Sequence, residues 1–255
     1  MFQRIISEQK VLIATGALSL AALVVLAVIS MFDTAEILGI NRWIKPMKFA
    51  MSIWVYLWTV AVYLYFVPGR EGAKKVIGYG ASLLLGGELV LIIMQAARGT
   101  TSHFNNDTVF DGMVFSAMGL MIVLNTALIA YLLVVYFRVG IELPRSILWG
   151  MRFGMALFLL ASLEGGYISV VMQHTVGAAD GGPGLPFVNW STTAGDLRAA
   201  HFIGMHALQA VPVFAWVIEK VRPLAATSLT AAFGISYFLI FTALFIQALA
   251  EDRFG

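Results

Sequence analysis

Long runs of apolar residues alternate with short polar segments along nearly the whole chain. Seven of these runs reach the ~20 residues that a helix needs to cross a bilayer. Because a lipid-exposed segment must satisfy its backbone hydrogen bonds internally, each run predicts a helix. The pattern therefore predicts an all-α polytopic membrane protein, one seven-transmembrane-helix bundle over residues 1–255. The predicted spans are approximately 11–31, 47–67, 75–97, 112–137, 147–173, 198–218 and 225–249.

Composition supports a membrane protein and excludes several other classes. Hydrophobic residues make up 60% of the chain and charged residues 12%, which is too apolar for a soluble domain of this length. The first run is longer than the apolar core of a cleavable signal, so we expect it to remain as a helix. The net charge of +2 gives no basic face for nucleic acid. The absence of cysteine excludes disulfides and thiolate metal sites.

Lysine and arginine near the ends of the spans predict the orientation of the chain. If the N-terminus is inside, nine of these residues lie on the inner side: Arg4, Lys10, Arg70, Lys74, Lys75, Arg138, Arg145, Lys220 and Arg222. Six lie on the outer side: Arg42, Lys45, Lys48, Arg98, Arg198 and Arg253. This bias favours an N-in, C-out topology. The two longest loops, 98–111 and 174–197, are then outside, and segment 32–46 is predicted to lie in the interface with Trp43 as an anchor.

Ionisable side chains at similar depth in three spans are the strongest candidates for chemistry. Glu88 and Glu164 each lie about nine residues from the outer end of a span, and His206 lies eight residues inside Arg198. At 1.5 Å per residue these positions are ~12–14 Å below the outer surface. Because each group is costly against lipid, we expect the three to face one another or a water-filled cavity, with the glutamates in catalytic roles. The alternative is that either glutamate forms a protonated hydrogen bond between helices.

A second layer of polar residues is predicted nearer the outer surface, at His103, His174 and His201. Neutral imidazoles and carboxylates are suitable ligands for zinc, iron or copper. His201 and His206 are ~140° apart around a helix, so ligands would have to come from several helices. The predicted metal ligands are His103, His174, His201, His206, Glu88 and Glu164. Gln209, which shares a helix face with His206, is predicted to orient these ligands together with Asp111 and Gln95.

The segment from Asp180 to Trp190 is rich in glycine and proline. Glycines permit positive φ and prolines stiffen the backbone, so we expect a fixed, irregular path. Phe187 and Trp190 are predicted to give the segment an apolar underside. We interpret it as a lid over the mouth of a polar pocket; a rigid connector is the alternative. Ser191, Thr192 or Asp196 is predicted to cap the following helix, and Asp196 is also in a position to pair with Arg198.

The stretch from His174 to Gln209, with NRWIKPMKFA at 41–50 and RGTTSHFN at 98–105, resembles a family of bacterial multi-spanning membrane proteins. The resemblance extends over most of the chain from the second to the sixth span. It implies a multi-pass protein of the bacterial inner (plasma) membrane and carries over no functional residues.

Three functions are compatible with these features. The first is a metal-dependent integral-membrane enzyme with a periplasm-facing His/Glu site, acting on a lipid-soluble substrate such as a quinone. The second is a redox protein that binds haem b through two of His174, His201, His206 and His103. The third is a proton-coupled transporter or copper-handling protein, with Glu88 and Glu164 as proton carriers. Membrane lipid is an expected partner, and an oligomer is left open.

Overall fold

The structure is a computed structural model that describes residues 1–250, without the side chain of Phe2. Arg253, counted above among the outer cations, lies outside the described residues. The helices are α1 (Phe2–Glu8), α2 (Lys10–Ser30), α3 (Ile44–Tyr65), α4 (Glu71–Ala97), α5 (Val109–Arg138), α6 (Arg145–Val171), α7 (Leu197–Val221) and α8 (Ala226–Ala250). The strands are β1 (Glu36–Ile37), β2 (Ile40–Asn41), β3 (Thr175–Val176) and β4 (Gly195–Asp196).

The seven helices α2–α8 are each long and apolar enough to cross a membrane. The chain is therefore an all-α, multi-pass membrane protein, as the hydrophobic pattern predicted. The largest difference from the predicted spans is in α4, which was expected to begin at residue 75 and begins at Glu71. Its first turn is charged, so hydropathy alone placed the start too late. Arg70, with φ of 57°, reverses the chain immediately before this turn.

Segment 32–46 forms a small hairpin that the sequence analysis did not predict. Strands β1 and β2 pair antiparallel, and the turn residues Leu38 and Gly39 both have positive φ. That combination is typical of a tight two-residue hairpin turn. Trp43 was expected to be an interfacial anchor, but it is buried, and its indole Nε1 donates to Asp33 Oδ2 at 2.8 Å. The prediction for Trp43 was wrong because the indole packs against Leu26, Met47 and Ala96 of the helices.

Asp33 fixes this hairpin to the end of α2. Its carboxylate accepts hydrogen bonds from the main-chain N–H of Ala35 and from Arg42 Nε, the latter at 2.8 Å. These donors, together with Trp43, hold the pKa of Asp33 below its usual value. Since the carboxylate stays ionised, it accepts hydrogen bonds from donors that would otherwise have no partner in this tight loop.

The chain divides into two compact units, Met1–Leu132 and Leu133–Gly255. In the first unit, α2 packs against α3 and α4, and α1 lies on α2 and α3. One apolar cluster joins Leu26 of α2, Met47 of α3 and Ala96 of α4. A second cluster joins Ile92 of α4 to Met118 of α5. Van der Waals packing of this kind is the main source of association between helices in lipid.

In the second unit, α6, α7 and α8 pack against one another. Small residues lie where α6 and α7 approach most closely: the Cβ of an alanine at Gly204 would be 2.5 Å from Cβ of Ala161. Phe241 of α8 packs on Ala161 and Ala200. The strands β3 and β4 pair antiparallel beside α8 and bring the loop after α6 back to the start of α7. These contacts position the polar residues described next.

Many large apolar side chains in the long helices face outwards. Leu18, Leu83, Val170 and Ile246 are all more than half exposed. A soluble protein rarely leaves so many apolar residues on its surface, whereas lipid tails are an apolar solvent for them.

Candidate functional site

Glu164 of α6 and His201 of α7 form a hydrogen-bonded pair in the second unit. Glu164 Oε2 lies 2.8 Å from His201 Nδ1. The carboxylate is almost completely buried, and its second oxygen, Oε1, has no hydrogen-bond partner in the described residues. The imidazole is about one-third exposed, at 35%. The pair thus joins a buried acid to a base that is accessible from outside the protein.

The surroundings of His201 indicate which ring nitrogen carries the proton. Nδ1 also lies 3.1 Å from the carbonyl oxygen of Ala161. A carbonyl oxygen can only accept, so a proton on Nδ1 satisfies both Ala161 and Glu164. In the neutral ring, Nε2 is then an acceptor that can take up a proton or bind a metal ion. A carboxylate that orients an imidazole in this way recurs in acid–base catalysis and around metal-binding histidines.

Gly165 makes this arrangement possible. A Cβ atom at Gly165 would lie 2.6 Å from Cε1 of His201, far inside van der Waals contact. The imidazole therefore lies against the α6 backbone and reaches the carboxylate of the preceding residue.

His206 was expected to face Glu164, but His201 occupies that position. The ring of His206 instead lies edge-on to Phe202, with ring centroids 4.3 Å apart. Phe202 in turn contacts Trp190 of the preceding loop at 5.6 Å. Gln209, one turn beyond His206, acts on the imidazole as a hydrogen-bond partner, as its position on the same helix face predicted.

His174, the third histidine of the second unit, pairs with Asp180 in the loop after α6. Nδ1 of His174 lies 2.7 Å from Asp180 Oδ2, and the main-chain N–H of Thr175 donates to Oδ1 at 2.8 Å. Burial opposes ionisation of Asp180, but His174 and the hydrogen bonds from His174 and Thr175 outweigh it and hold its pKa well below the ordinary value. Asp180 therefore acts as a fixed anion that shapes the start of the loop.

The same loop encloses a small polar cavity of about 260 Å³. Arg198 lies in its wall and is held by Asp196, with Nη2 2.6 Å from Oδ2, and by the carbonyl oxygen of Asn189 at 2.6 Å. Asp196 also accepts from the main-chain N–H of Arg198, so Asp196 is the candidate that caps the helix, and the predicted pair with Arg198 forms as well. Phe187 is about half exposed, so only Trp190 packs underneath. The role of this loop as a lid stays a prediction.

Glu88 is the buried carboxylate of the first unit. It is 1% exposed and lies close enough to Lys45, at the start of α3, for their charges to interact. Lys45 was counted above only among the cations of the outer side and was not connected with Glu88. A second buried polar contact in this unit joins Tyr56 Oη to Asn125 Oδ1 at 3.1 Å. Glu88 and Glu164 belong to different units, and their convergence stays a prediction.

Asp111 and Gln95, which were expected to orient metal ligands, bind each other and Arg98. Gln95 Nε2 donates to Asp111 Oδ1 at 2.9 Å, and Arg98 Nη1 donates to the same oxygen at 2.5 Å. Arg98 also donates to Gln95 Oε1. These three residues close the loop between α4 and α5. Within the loop itself, Arg98 neutralises the buried carboxylate of Asp111.

His103 lies in the same loop, surrounded by aromatic rings. The centroids of Phe49 and Phe115 are 5.5 and 6.2 Å from the imidazole centroid, and that of Phe104 is also at 6.2 Å. Nδ1 lies 3.0 Å from Ser102 Oγ. The imidazole of His103 thus lies in a mainly apolar environment formed by aromatic rings. Within residues 1–250, no three His, Asp or Glu side chains are grouped so as to hold a metal ion.

Comparisons of the chain with protein-family models, curated proteins and solved structures gave no match. The function is therefore argued from the geometry of the Glu164–His201 pair.

Proposed function

We propose that this multi-pass membrane protein is an integral-membrane enzyme that transfers a proton at Nε2 of His201 to or from a lipid-soluble substrate. The observation that carries this proposal is the 2.8 Å contact between His201 Nδ1 and the buried carboxylate of Glu164. Glu164 orients the ring and balances its charge when Nε2 takes up a proton. The proton leaves a C–H or O–H bond of the substrate and returns to the product in the second half of the cycle.

Two features favour a lipid-soluble substrate. His201 is the fifth residue of α7, a helix long and apolar enough to cross the membrane. Its imidazole is partly exposed, while the carboxylate behind it is buried. A substrate dissolved in lipid would reach Nε2 from the side of the helix.

A metal-dependent form of this enzyme uses the same pair. Nε2 of His201 would be a ligand to zinc, iron or copper, and Glu164 would hold the ring through Nδ1. A bound metal ion would supply Lewis-acid or redox chemistry. Elemental analysis of purified protein tests this form: stoichiometric metal that is lost in His201→Gln supports it, and metal-free active protein contradicts it.

Proton-coupled transport is the second candidate, and Glu88 favours it. A buried carboxylate beside Lys45 in the first unit can exchange protons independently of Glu164. Proteoliposomes with an imposed pH gradient test this function through a pH-sensitive dye inside the vesicles. Transport predicts proton flux that is lost in Glu88→Gln.

Haem b remains a proposal that a Soret absorption band would support, but His201 and His206 share one helix, so a second ligand would have to come from another element.

The proposed location is the bacterial inner membrane with the N-terminus inside. The larger number of basic residues at the inner span ends supports this orientation. Reporter fusions to the loops after α3 and after α4 test it: this orientation places the first loop inside and the second outside, and the reverse result would contradict it.

The decisive experiment for the enzyme is a comparison of lipid extracts from cells that express the wild-type chain or a variant. Wild-type cells are expected to contain a product that is absent with His201→Gln and reduced with Glu164→Gln. Gly166→Ala is the matched control, because a Cβ atom at Gly166 meets nothing within 4 Å. Equal lipid profiles for wild type and His201→Gln, at equal protein levels, would refute the proposal.

A further inference from the structure

A polar cleft of about 490 Å³ lies in the first unit, where α2 and α4 begin. The residues that line it include Lys10, Lys74 and Lys75, together with Glu8 and Glu71. This volume is within the ~300–1,000 Å³ that is usual for small-molecule sites. The cleft shares no residue with the Glu164–His201 pair and is independent of the proposed function.

The cations of the cleft differ in their partners. Lys74 Nζ is held by Glu71 Oε1 at 3.0 Å, and its side chain is largely buried. Within residues 1–250, no carboxylate lies at ion-pair distance from Lys10 or Lys75. After Lys74 and Glu71 neutralise each other, two lysines and Glu8 remain. The cleft therefore has an excess positive charge that is not compensated by protein.

The position of the cleft indicates where its ligand comes from. Lys10 is the first residue of α2, and Lys74 and Lys75 lie in the first two turns of α4. Both helices are long and apolar enough to span the membrane, so their charged starts lie at the level of the lipid headgroups. Tyr79, which is well exposed in the cleft wall, is typical of residues at this depth. Phosphate headgroups occur in both leaflets, so the cleft would meet them in either orientation of the chain.

We infer that this cleft binds an anionic phosphate group through Lys10 and Lys75, with Lys74 held in place by Glu71. The group is the headgroup phosphate of an anionic lipid or the phosphate of a soluble compound, which share the same chemistry. Basic pockets at the ends of membrane helices are known sites for anionic lipid headgroups.

The test uses the full purified chain and three probes: phosphatidylglycerol, zwitterionic phosphatidylcholine and inorganic phosphate. Native mass spectrometry measures the bound lipid, and isothermal titration of delipidated protein measures phosphate. Lys10→Gln/Lys75→Gln removes the two lysines, and Lys10→Arg/Lys75→Arg keeps their charge. The matched control is Arg138→Gln/Arg222→Gln, which removes the same net charge from exposed positions at the ends of α5 and α7.

A lipid ligand predicts that phosphatidylglycerol binds more tightly than phosphatidylcholine. The glutamine double variant should then bind phosphatidylglycerol at least about tenfold more weakly, while the arginine variant and the control bind as wild type does. A soluble ligand predicts the same pattern with inorganic phosphate and no preference between the lipids. Equal weakening in the glutamine variant and the control, or no binding of either anionic probe to wild type, would overturn the assignment.

Discussion

Gly165 of α6 and His201 of α7 are in direct contact. A methyl group at Gly165 would lie 2.6 Å from Cε1 and 3.1 Å from Nδ1 of the imidazole. The ring can reach the carboxylate of Glu164 only because the next residue has no side chain. A glycine in the middle of a helix lowers helix stability by about 1 kcal/mol relative to alanine. The close approach of the imidazole explains why a glycine is nevertheless present at this position.

Gly165→Ala is expected to displace the imidazole and lengthen the hydrogen bond to Glu164. The side-chain ¹⁵N spectrum of histidine-labelled protein measures the change, since the chain has only four histidines. The His201 signals should shift and lose their Nδ1–H tautomer. Gly166→Ala is the control, because its Cβ meets nothing within 4 Å, and it should leave the His201 signals unchanged. Identical spectra for the two variants would mean that Gly165 does not position the ring.

The membrane spans and the two buried glutamates could be predicted from the sequence, because hydropathy and the cost of charge in lipid act on single segments. The hydrogen-bond partner of Glu164 could not be predicted from the sequence. Counting residues from the span ends placed His206 at the depth of Glu164. In the structure, α6 ends two residues earlier than expected, and Gly165 packs against His201. The end of α6 and the start of α7 differ from the predicted positions by only two residues and one residue, so the choice between His201 and His206 is decided by the packing of small residues.

The Glu164–His201 pair is expected to be energetically coupled. His201→Ala leaves a buried carboxylate without its donor and should lower the free energy of unfolding by about 1–3 kcal/mol. Glu164→Gln keeps an acceptor for Nδ1–H and should cost less. A double-mutant cycle, measured by unfolding in mixed detergent micelles, should give an interaction energy of at least about 0.5 kcal/mol.

The corresponding cycle with His206→Ala and Glu164→Gln is the control. His206 contacts Phe202 and not Glu164, so its effect should add to that of Glu164→Gln within about 0.5 kcal/mol. Coupling of Glu164 to His206 rather than to His201 would contradict the geometry and restore the pairing that the sequence suggested.

The loop after α6 is expected to loosen in acid. The pKa of Asp180 is lower in the folded protein than the ordinary value of an aspartate side chain, so its ionised form stabilises the loop. This contribution is complete above the unfolded pKa and is lost as the pH falls from about 4 through the folded pKa. Limited proteolysis with pepsin, from pH 5 downwards, should show faster cleavage between β3 and β4 as the pH falls.

Asp180→Asn is the matched variant for this loop. It cannot ionise, so cleavage should be faster than in wild type at pH 5 and should change less with pH. Asp107→Asn, in the loop between α4 and α5, removes an exposed carboxylate and should leave the pepsin profile of the loop after α6 as in wild type. A wild-type loop that is equally resistant at every pH would show that Asp180 does not hold it.

The loops were the least predictable part of the chain. Gln95 and Asp111 were expected to support metal ligands, but Arg98 lies one turn after Gln95 and forms a closed set with them. Asp180 was not singled out, although it binds His174 and the main chain of β3. Sequence spacing places residues on one helix face, but it does not show how a turn folds back on a carboxylate.

Gly195→Ala is expected to release the β3–β4 hairpin from α8. A Cβ atom at Gly195 would lie 2.1 Å from the carbonyl oxygen of Ala248, and neither backbone can move without disrupting its own element. Overpacking of this kind typically costs about 1–3 kcal/mol. Gly182→Ala is the control, since its nearest neighbour, the carbonyl oxygen of Ala179, would be 3.9 Å away. Hydrogen exchange of the amides of Thr175 and Val176 should accelerate in the Gly195 variant alone; unchanged exchange would show that the hairpin holds without α8.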